Sequence, residues 1–471
     1  MSKSRKIIIT FLIVVLSFAL FLGGCTIQMQ NDVNSIVSIE KTATNGLIDT
    51  YTITYSNGET SEFTVVNGAS GQNGQDLTVE TLYQEWLKNN EGKSYEDFLK
   101  AVLSINTTGS DYVVNKALCS SLKVYSEFTM TYSYTTNQSM KYIDMGAGSA
   151  VIYKIDDDYT YFITNYHVVY NSKQNKNSKI ASKITCYLYG SESVPKETET
   201  RDDEGYIIYD YGTNAIDCEY VGGTAAADIA VLKTNTTKLL EINPNVKEVE
   251  FASDYHVGET AIAIGNPDDD GISVTQGVVS MDNEFITLTV DSISRKYRSI
   301  RIDTPLYAGN SGGGLFNANG KLIGITNAGA VTEQNVNYAV PLHIVKPVVE
   351  NIMYYKNGFV NKITVGVTVQ EGDSLYDYDE TTGYGKVVGD INVVEVGNDS
   401  IASEIKLQVG DVITTFIING KIKVLARYFN IGDLLYTVKV GDVIAFGVMR
   451  EGSYITSKYY TVKQSDIAKA E

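Results

Sequence analysis

Alternating apolar and polar positions run through residues 36–66, and this period of two predicts β-strands rather than helices. The pair Asn57-Gly58 interrupts the alternation, and this dipeptide favours the tight turn of a β-hairpin. Residues 78–103 change to helical spacing of their apolar positions. The pattern therefore predicts a small β-hairpin module over 36–67 and a helical pair over 78–103.

From residue 112 onward the pattern consists of short apolar runs separated by glycine-containing turns, which is typical of an all-β barrel or sandwich. A run with helical spacing at 341–358 closes this region, and a long polar connection at 191–214 interrupts it. Residues 361–466 show further short strand patterns and an acidic insert at 371–385. The sequence predicts a mainly β protein with one domain over 112–356 and a last unit over 361–466.

The N-terminal segment has a basic start, an apolar run from Ile7 to Leu22 and then the letters LGGC. This arrangement predicts a secretory signal rather than part of the fold. A simple membrane anchor is the alternative, although the run falls short of the ~20 residues of a spanning helix. The letters LGGC resemble a bacterial lipoprotein signal, which implies removal of residues 1–24 and lipidation of Cys25. Residues 25–35 would then form a tether.

Composition and charge exclude several classes of function. The formal net charge of −18 argues against nucleic-acid binding, which needs a basic surface, and against broad electrostatic adhesion to anionic lipid. The sequence has three histidines and no Cys/His cluster with zinc-like spacing, so we expect no metal and no other cofactor. Cys186 and Cys218 fall on neighbouring strand patterns, and the sequence leaves open whether they form a disulfide.

A serine nucleophile needs an adjacent base, and histidine suits this role because its pKa lies near 6.5. His343 lies on the predicted closing helix and His256 in a polar turn, which favours structural or solvent-exposed roles for both. His167 ends an apolar strand pattern. Asp228 interrupts another apolar pattern. A carboxylate buried there needs an ion-pair or hydrogen-bond partner, although a turn cap just before the strand explains this aspartate equally well. Ser311 lies in the glycine-rich stretch YAGNSGGGL.

The order His167, Asp228, Ser311 is that of chymotrypsin-like triads and differs from the order in subtilisins and α/β-hydrolases. Several blocks carry a closer resemblance, in the order GAGSAVI, FITNYHVV, AAADIAVLK, AIAIGNPDDDGISVTQGVVS, IDTPLYAGNSGGGLFNANGKLIGITNA and NYAVPLH. Over residues 112–465 the chain resembles the HtrA-type (Deg) serine proteases. The resemblance implies a chymotrypsin-like double β-barrel and a serine endopeptidase activity.

The same resemblance implies roles for single residues. Ser311 would be the nucleophile, His167 the general base and then the general acid, and Asp228 the group that orients His167. The resemblance also implies an oxyanion hole formed by Gly309, Asn310 and Ser311. It implies a specificity pocket formed by Ile325, Thr326 and Asn327. The pocket stretch has no acidic residue, so we expect cleavage after a small or medium aliphatic residue rather than after Lys or Arg.

One loop departs from the family pattern. Residues 266–271 read NPDDDG where the family commonly has a form like NPFG. We expect its three aspartates to influence the stability of the loop without reaching the triad.

Residues 361–466 resemble a PDZ domain. The stretch ITVGVTV at 363–369 implies a carboxylate-binding loop and a strand to which a peptide adds, with Val365, Gly366 and Val367 at the binding site. A structural cap that binds no peptide is the alternative for this unit.

These features together predict a membrane-tethered, extracytoplasmic serine endopeptidase, anchored by lipid at the bacterial cell surface or in the periplasm. It would hydrolyse misfolded or exported proteins through an acyl-enzyme, bind peptide C-termini and bind no nucleic acid. The resemblance implies a homotrimer formed through the N-terminal segment, but that segment carries an unrelated module here, so the sequence leaves the oligomeric state open. One alternative is a chaperone-like or sensor scaffold with little or no proteolysis. A weaker alternative is a triad hydrolase that acts on another ester or amide.

Overall fold

The computed structural model describes residues 36–45, 48–66, 79–88, 90–95, 97–98, 110–135, 138–290, 293–329 and 335–470. The predicted signal segment 1–24, the tether 25–35 and Cys25 lie outside these residues. The chain divides into an N-terminal unit that ends at Val113 and a larger unit that contains Val114–Glu471. Among the described residues, no helix is both long and apolar enough to cross a membrane.

The N-terminal unit contains a three-stranded antiparallel sheet in the order β1-β2-β3. Its elements are β1 (Ile36–Asn45), β2 (Ile48–Tyr55), β3 (Thr60–Val66) and the helix α1 (Val79–Lys88). Gly58 has a φ of 80° in the turn between β2 and β3, a conformation that glycine adopts without steric cost. Trp86 is fully buried and packs with Ile53 and Phe98, so the helix and the sheet share an aromatic core.

The larger unit begins with a barrel of six strands in the order β11-β6-β5-β4-β7-β10, closed by pairing of β10 with β11. Leu122, Ile152 and Phe162 lie in its fully buried interior. The strands are β4 (Ser121–Thr135), β5 (Gln138–Ile155), β6 (Tyr159–Thr164), β7 (Lys183–Leu188), β10 (Ile216–Thr224) and β11 (Ile229–Asn235). The helix α2 (Ser110–Leu118) precedes β4, and the helices α3 (Tyr166–Val169) and α4 (Thr236–Ile242) belong to this barrel.

The polar connection at 191–214 contains a small antiparallel ribbon of β8 (Lys196–Arg201) and β9 (Ile207–Asp210). Tyr211, at its end, packs with Tyr125 and Tyr187 on the strands β4 and β7. Its hydroxyl donates a hydrogen bond of 2.5 Å to the Glu127 carboxylate. The connection therefore covers an aromatic patch on this barrel.

A second closed barrel follows, with its strands in the order β12-β13-β14-β17-β16-β15. Ile300, Leu315 and Ile323 lie in its fully buried interior. The strands are β12 (Thr260–Gly265), β13 (Ser273–Val290), β14 (Ile293–Ile302), β15 (Gly314–Phe316), β16 (Leu322–Gly329) and β17 (Asn337–Pro341). A 3₁₀ turn (Pro267–Asp269) follows β12, and the long helix α5 (Leu342–Tyr355) follows β17.

After α5 and the short strand β18 (Gly358–Phe359), which pairs in parallel with β10, the chain forms a C-terminal β domain. Its main sheet has the order β20-β21-β22-β24-β25, so β20 lies at an edge. The strands are β19 (Asn361–Ile363), β20 (Val367–Asp379), β21 (Tyr384–Val396), β22 (Val412–Ile418), β23 (Lys421–Val424), β24 (Val443–Arg450), β25 (Ser453–Thr456), β26 (Tyr460–Thr461) and β27 (Ile467–Lys469).

The C-terminal domain also contains the short helices α6 (Ile401–Glu404) and α7 (Phe429–Leu434) and the 3₁₀ turns Leu435–Thr437 and Gln464–Asp466. Side chains of the sheet and of both helices share one core, in which Phe416 and Phe446 stack with ring centroids 4.6 Å apart. Two barrels followed by this domain confirm the predicted mainly β class.

Candidate active site

The three predicted triad residues come from both barrels. His167 lies on α3, directly after β6, and Asp228 immediately precedes β11, so both belong to the first barrel. Ser311 lies in the turn before β15 of the second barrel. The two barrels meet at this turn, because the Ser149 N–H on β5 donates a hydrogen bond of 2.8 Å to the Ser311 carbonyl oxygen. The site therefore lies where the two barrels join.

Asp228 holds His167 by three contacts. Its carboxylate oxygens lie 2.8 and 3.1 Å from His167 Nδ1, and Oδ1 also accepts the His167 backbone N–H at 3.0 Å. The Asp228 side chain is 1% exposed, and these contacts supply the hydrogen bonds that a buried carboxylate requires. Asn165 Nδ2 donates to the Asp228 carbonyl oxygen at 2.8 Å, which helps to fix the backbone at its left-handed φ of 53°.

The electrostatics of the pair favour a protonated imidazole. Burial lowers the pKa of His167, but the charge and the hydrogen bond of Asp228 outweigh it, so this pKa lies above its ordinary value. Because the carboxylate is bonded to Nδ1, the other ring nitrogen, Nε2, is the one that can exchange a proton with a nucleophile. The His167 side chain remains 30% exposed, which leaves room for a substrate beside it.

The Ser311 side chain is not yet engaged with this base. Its Oγ donates to the carbonyl oxygen of Asn327 at 3.3 Å, and among the described residues His167 makes no hydrogen bond with it. Catalytic hydrogen bonds are often absent or long before a substrate binds. A rotation of the Ser311 side chain is therefore needed before its proton can pass to His167.

The backbone before Ser311 presents an N–H group from Gly309. The Ala308–Gly309 peptide is trans, so its C=O and N–H point in opposite directions. The Ala308 carbonyl oxygen accepts the N–H of Asp268 at 2.6 Å, which directs the Gly309 N–H away from that loop. Among the described residues this N–H has no acceptor, as an oxyanion donor requires.

A second N–H group comes from Ser311 itself. The carbonyl oxygen of Asn310, in the same peptide, accepts the Thr326 hydroxyl at 2.6 Å and the Gly313 N–H at 2.9 Å. The Ser311 N–H therefore points the other way, and it too has no acceptor among the described residues. The Asn310 N–H, included among the predicted donors, is instead donated to the Tyr307 carbonyl oxygen at 3.1 Å. Two donors rather than three are therefore available.

Two glycines allow this backbone to pack closely. Gly309 has a φ of 94°, and a Cβ there would lie 2.1 Å from the Asn266 carbonyl oxygen. Gly312 has a φ of 87°, and its Cβ would lie 2.1 Å from the Ser149 carbonyl oxygen. Both positions combine a left-handed conformation with no room for a side chain, so any other residue would displace the turn.

Sequence reasoning missed the residues that hold this turn. Ser149 Oγ donates to the Gly309 carbonyl oxygen at 2.8 Å and accepts the Asn266 N–H at 2.8 Å. Thr326 and Asp268 anchor the two carbonyl oxygens described above. Ser149 falls within the block GAGSAVI, but a small hydroxyl residue beside glycines carries no pattern that assigns a partner more than a hundred residues away.

The three predicted pocket residues lie together on β16 but differ in surroundings. Ile325 is fully buried, and the Thr326 hydroxyl is bonded to the carbonyl oxygens of Asn310 and Gly313. Asn327 lies at a bulge where β16 shifts register against β17. Its side chain is buried, and neither of its amide atoms has a hydrogen-bond partner among the described residues. Asn327 therefore retains an unused polar group next to the nucleophile.

The other histidines and the cysteines make their contacts with residues outside the triad. His256 stacks on Tyr384 with ring centroids 4.0 Å apart, and His343 Nε2 lies 3.4 Å from an Asp254 carboxylate oxygen. Cys186 and Cys218 are thiols whose sulfurs lie 3.3 Å apart on the paired strands β7 and β10. No group of three potential metal ligands occurs within the part of the chain that the structure describes.

The predicted peptide-binding residues line a cavity of about 830 Å³ in the C-terminal domain. Val365, Gly366 and Val367 form one wall beside β20, and the helix α7 forms the other through Phe429 and Gly432. Side chains of β13 and β14 also reach this cavity, so it lies against the second barrel.

Comparison with known proteins is consistent with this geometry. A family described as a trypsin-like peptidase domain matches residues 148–325. The serine protease Do-like HtrA of Bacillus subtilis is 27% identical over 339 residues, which cover 69% of this chain and 66% of that protein. The serine protease Do-like HtrB of the same species is 32% identical over 331 residues, which cover 68% of this chain and 62% of that protein.

A third relative, a probable periplasmic serine endoprotease DegP-like of Rickettsia conorii, is 31% identical over 207 residues, 43% of this chain and 38% of its own length. The chain thus spans slightly less than two thirds of the length of the two Bacillus relatives. The peptidase match contains all three predicted triad residues, which lie at its centre and near its two ends.

Proposed function

We propose that this chain, whose trypsin-like peptidase domain is of the HtrA/Deg type, is a serine endopeptidase that hydrolyses peptide bonds through an acyl-enzyme. One observation carries the proposal. A histidine fixed by a buried carboxylate lies at the same junction of two barrels as a serine whose own N–H, together with that of Gly309, has no acceptor among the described residues. Base, nucleophile and oxyanion donors are the minimum set for acyl transfer.

The reaction follows from the positions of these groups. Ser311 Oγ leaves the Asn327 carbonyl, gives its proton to His167 Nε2 and attacks the scissile carbonyl carbon. The negative charge that develops on the carbonyl oxygen is stabilised by the N–H groups of Gly309 and Ser311. His167 then gives the proton to the leaving amine, and water repeats the sequence on the ester. Asp228 stabilises the imidazolium throughout.

We further propose that residues 112–356 form the protease domain and residues 361–466 a PDZ-like domain that binds extended peptides. The edge position of β20 leaves one side of this strand open to pair with an added strand, beside the cavity between β20 and α7. Burial lowers the pKa of Lys362, which lines the same cavity, despite an opposing influence of Asp433. A peptide C-terminal carboxylate would stabilise the positive charge of this half-buried lysine.

The location of the protein is part of the proposal. The LGGC sequence supports lipidation of Cys25 outside the cytoplasmic membrane, and a similar protein from Rickettsia is named periplasmic. Substrates would then be misfolded or exported proteins, and a homotrimer is the assembly we expect. Retention of the protein in the membrane fraction, lost in the Cys25→Ala variant, tests the anchor.

Cleavage of casein by the wild type and by the Ser311→Ala variant tests the protease function. We expect wild-type cleavage and none in the variant, with labelling of Ser311 by a fluorophosphonate. The rival candidate is a chaperone-like or sensor scaffold, which the bond from Ser311 Oγ to the Asn327 carbonyl favours because it holds the nucleophile away from its base. Absence of labelling even with unfolded substrate present would support the scaffold and contradict the protease.

A further inference from the structure

The loop that orients the Gly309 N–H has an unusual backbone. Asp268 and Asp269 have φ values of 50° and 65°, both in the left-handed region that residues other than glycine rarely occupy. Two such residues in succession persist only where surrounding contacts enforce the conformation. The N–H of Asp268 makes the 2.6 Å hydrogen bond to the Ala308 carbonyl oxygen, so the strained segment directly contacts the oxyanion turn.

The contacts that enforce this backbone come from the first barrel. Lys123 on β4 is 2% exposed, and its Nζ lies 2.9 Å from Asp269 Oδ1 and donates to the Asp269 carbonyl oxygen at 3.0 Å. The Tyr125 hydroxyl lies 2.7 and 2.9 Å from the two Asp269 carboxylate oxygens. Asn266 Nδ2 adds a bond of 3.1 Å to Oδ1. The Asp269 side chain and main chain are therefore both held by β4.

The charge distribution of this cluster agrees with its geometry. Burial raises the pKa of Asp269, but the hydrogen bonds from Lys123, Tyr125 and Asn266 and the charge of Lys123 outweigh it, so this pKa lies below its ordinary value. Asp269 is therefore ionised at neutral pH. A buried lysine whose carboxylate partner is removed would be left uncompensated, so each member needs the other.

We propose that Lys123 and Asp269, with Tyr125, position the oxyanion hole of the second barrel from the first barrel. The pair fixes the backbone of the loop, the Asp268 N–H fixes the Ala308 carbonyl, and the trans peptide then fixes the direction of the Gly309 N–H. This inference rests on the proposed protease function. It assigns Lys123 and Asp269 as positioning residues, because neither reaches the substrate or the triad side chains.

The arrangement explains why one donor depends on the cluster more than the other. The Ser311 N–H is oriented by two bonds to the Asn310 carbonyl, both from residues of the second barrel. The Gly309 N–H is oriented through a single bond to the Ala308 carbonyl, from a loop that is itself held by β4. Loss of the cluster would therefore affect the Gly309 donor first.

The test compares the full chain with the variants Asp269→Asn and Lys123→Met/Asp269→Asn, the second of which leaves no buried charge unpaired. Asp270→Asn is the matched control, since it removes the same charge from the next residue of the loop. The measurements are kcat and KM on a fluorogenic peptide chosen from sites cut in casein. A peptide aldehyde with the same residues provides the inhibition constant, because its hemiacetal oxygen with Ser311 occupies the oxyanion hole.

We expect both cluster variants to lose about 10- to 100-fold in kcat, less than the 10²–10³-fold typical of deleting a donor outright, with KM changed by no more than about twofold. The aldehyde should bind more weakly by the same factor, because it resembles the transition state. The Asp270→Asn control should match the wild type.

Unchanged kcat in a double variant with wild-type thermal unfolding would overturn the inference. A fall in kcat without weaker aldehyde binding would overturn it as well, since a purely structural role would predict that result. If Asp269→Asn does not fold, the double variant decides. Wild-type cleavage that Ser311→Ala abolishes keeps the proposed function intact in either case, whereas an inactive wild type would contradict the proposed function itself.

Discussion

The two barrels contribute to the candidate active site in different ways. In the first barrel, Asp228 is buried and bonded to both the side chain and the backbone of His167, so the base is assembled before any substrate arrives. In the second barrel, Ser311 Oγ is bonded to a main-chain carbonyl, and the oxyanion donors are set indirectly through anchors on neighbouring carbonyls. The difference indicates that the base is fixed, whereas the nucleophile turn is the part whose geometry other contacts can adjust.

The largest effect is expected from a change to the His167–Asp228 pair in the first barrel. In the Asp228→Asn variant the neutral amide no longer stabilises the imidazolium, and its NH₂ group can donate to Nδ1 and favour the wrong tautomer, so kcat on the fluorogenic peptide should fall by about 10⁴-fold. Circular dichroism should show that the fold is retained. A loss below tenfold would show that Asp228 does not act through His167.

A smaller effect is expected from a change to the turn of the second barrel that contains Ser311. The Thr326→Val variant keeps the volume of the side chain but removes the hydroxyl that anchors the Asn310 carbonyl, while the Gly313 N–H still holds the same oxygen. We expect kcat to fall by about tenfold with little change in KM, since one of two anchors remains. A rise in KM without a fall in kcat would instead assign Thr326 to substrate binding.

The smallest expected effect is a shift of pH dependence. Asp228 raises the pKa of His167 above its ordinary value despite burial, so the acidic limb of kcat/KM should have its midpoint above pH 6.5. NMR titration of the imidazole in the inactive Ser311→Ala variant would measure the same pKa directly. A midpoint at or below pH 6.5 would contradict the predicted strength of the Asp228 contact.

The same shift has a consequence for stability. Because the folded-state pKa lies above the unfolded value, protonated His167 stabilises the fold fully below its ordinary pKa. This contribution is lost as the pH rises through the folded-state pKa. The His167→Asn variant should lack this change in the free energy of unfolding, which denaturant titrations on either side of the transition would detect.

The sequence was most informative where chemistry demands particular residue types. Only three histidines were available as bases, and only His167 lay in a block whose order with Asp228 and Ser311 matched a triad. The structure brings His167 and Asp228 into contact and places Ser311 at the junction of the same barrels. Glycine at positions 309 and 312 was also informative, because a left-handed turn without space for a Cβ tolerates no other residue.

The sequence was least informative for contacts that any small polar residue could make. The NPDDDG loop was expected to influence its own stability without reaching the triad, and the hydrogen bonds of its described residues involve none of the triad side chains. It instead donates to the Ala308 carbonyl beside the nucleophile. Asn310 was included among the oxyanion donors, but a turn bond to Tyr307 uses its N–H. Neither the hydrogen bond of the loop to Ala308 nor the turn bond of Asn310 can be recognised from composition or residue spacing.

The sequence alone therefore determined the mainly β class and predicted which residues would perform acyl transfer, because both inferences depend on residue type, order and periodicity. Only the tertiary structure decided which way the N–H groups of Gly309 and Ser311 point and where the Ser311 hydroxyl rests. Those directions depend on hydrogen bonds between segments as distant as Lys123 and Asp269. In a trans peptide the N–H points opposite to the C=O, so a hydrogen bond that fixes the carbonyl oxygen also fixes the direction of the N–H. The residue that donates this hydrogen bond is distant in the sequence, and no local pattern identifies it.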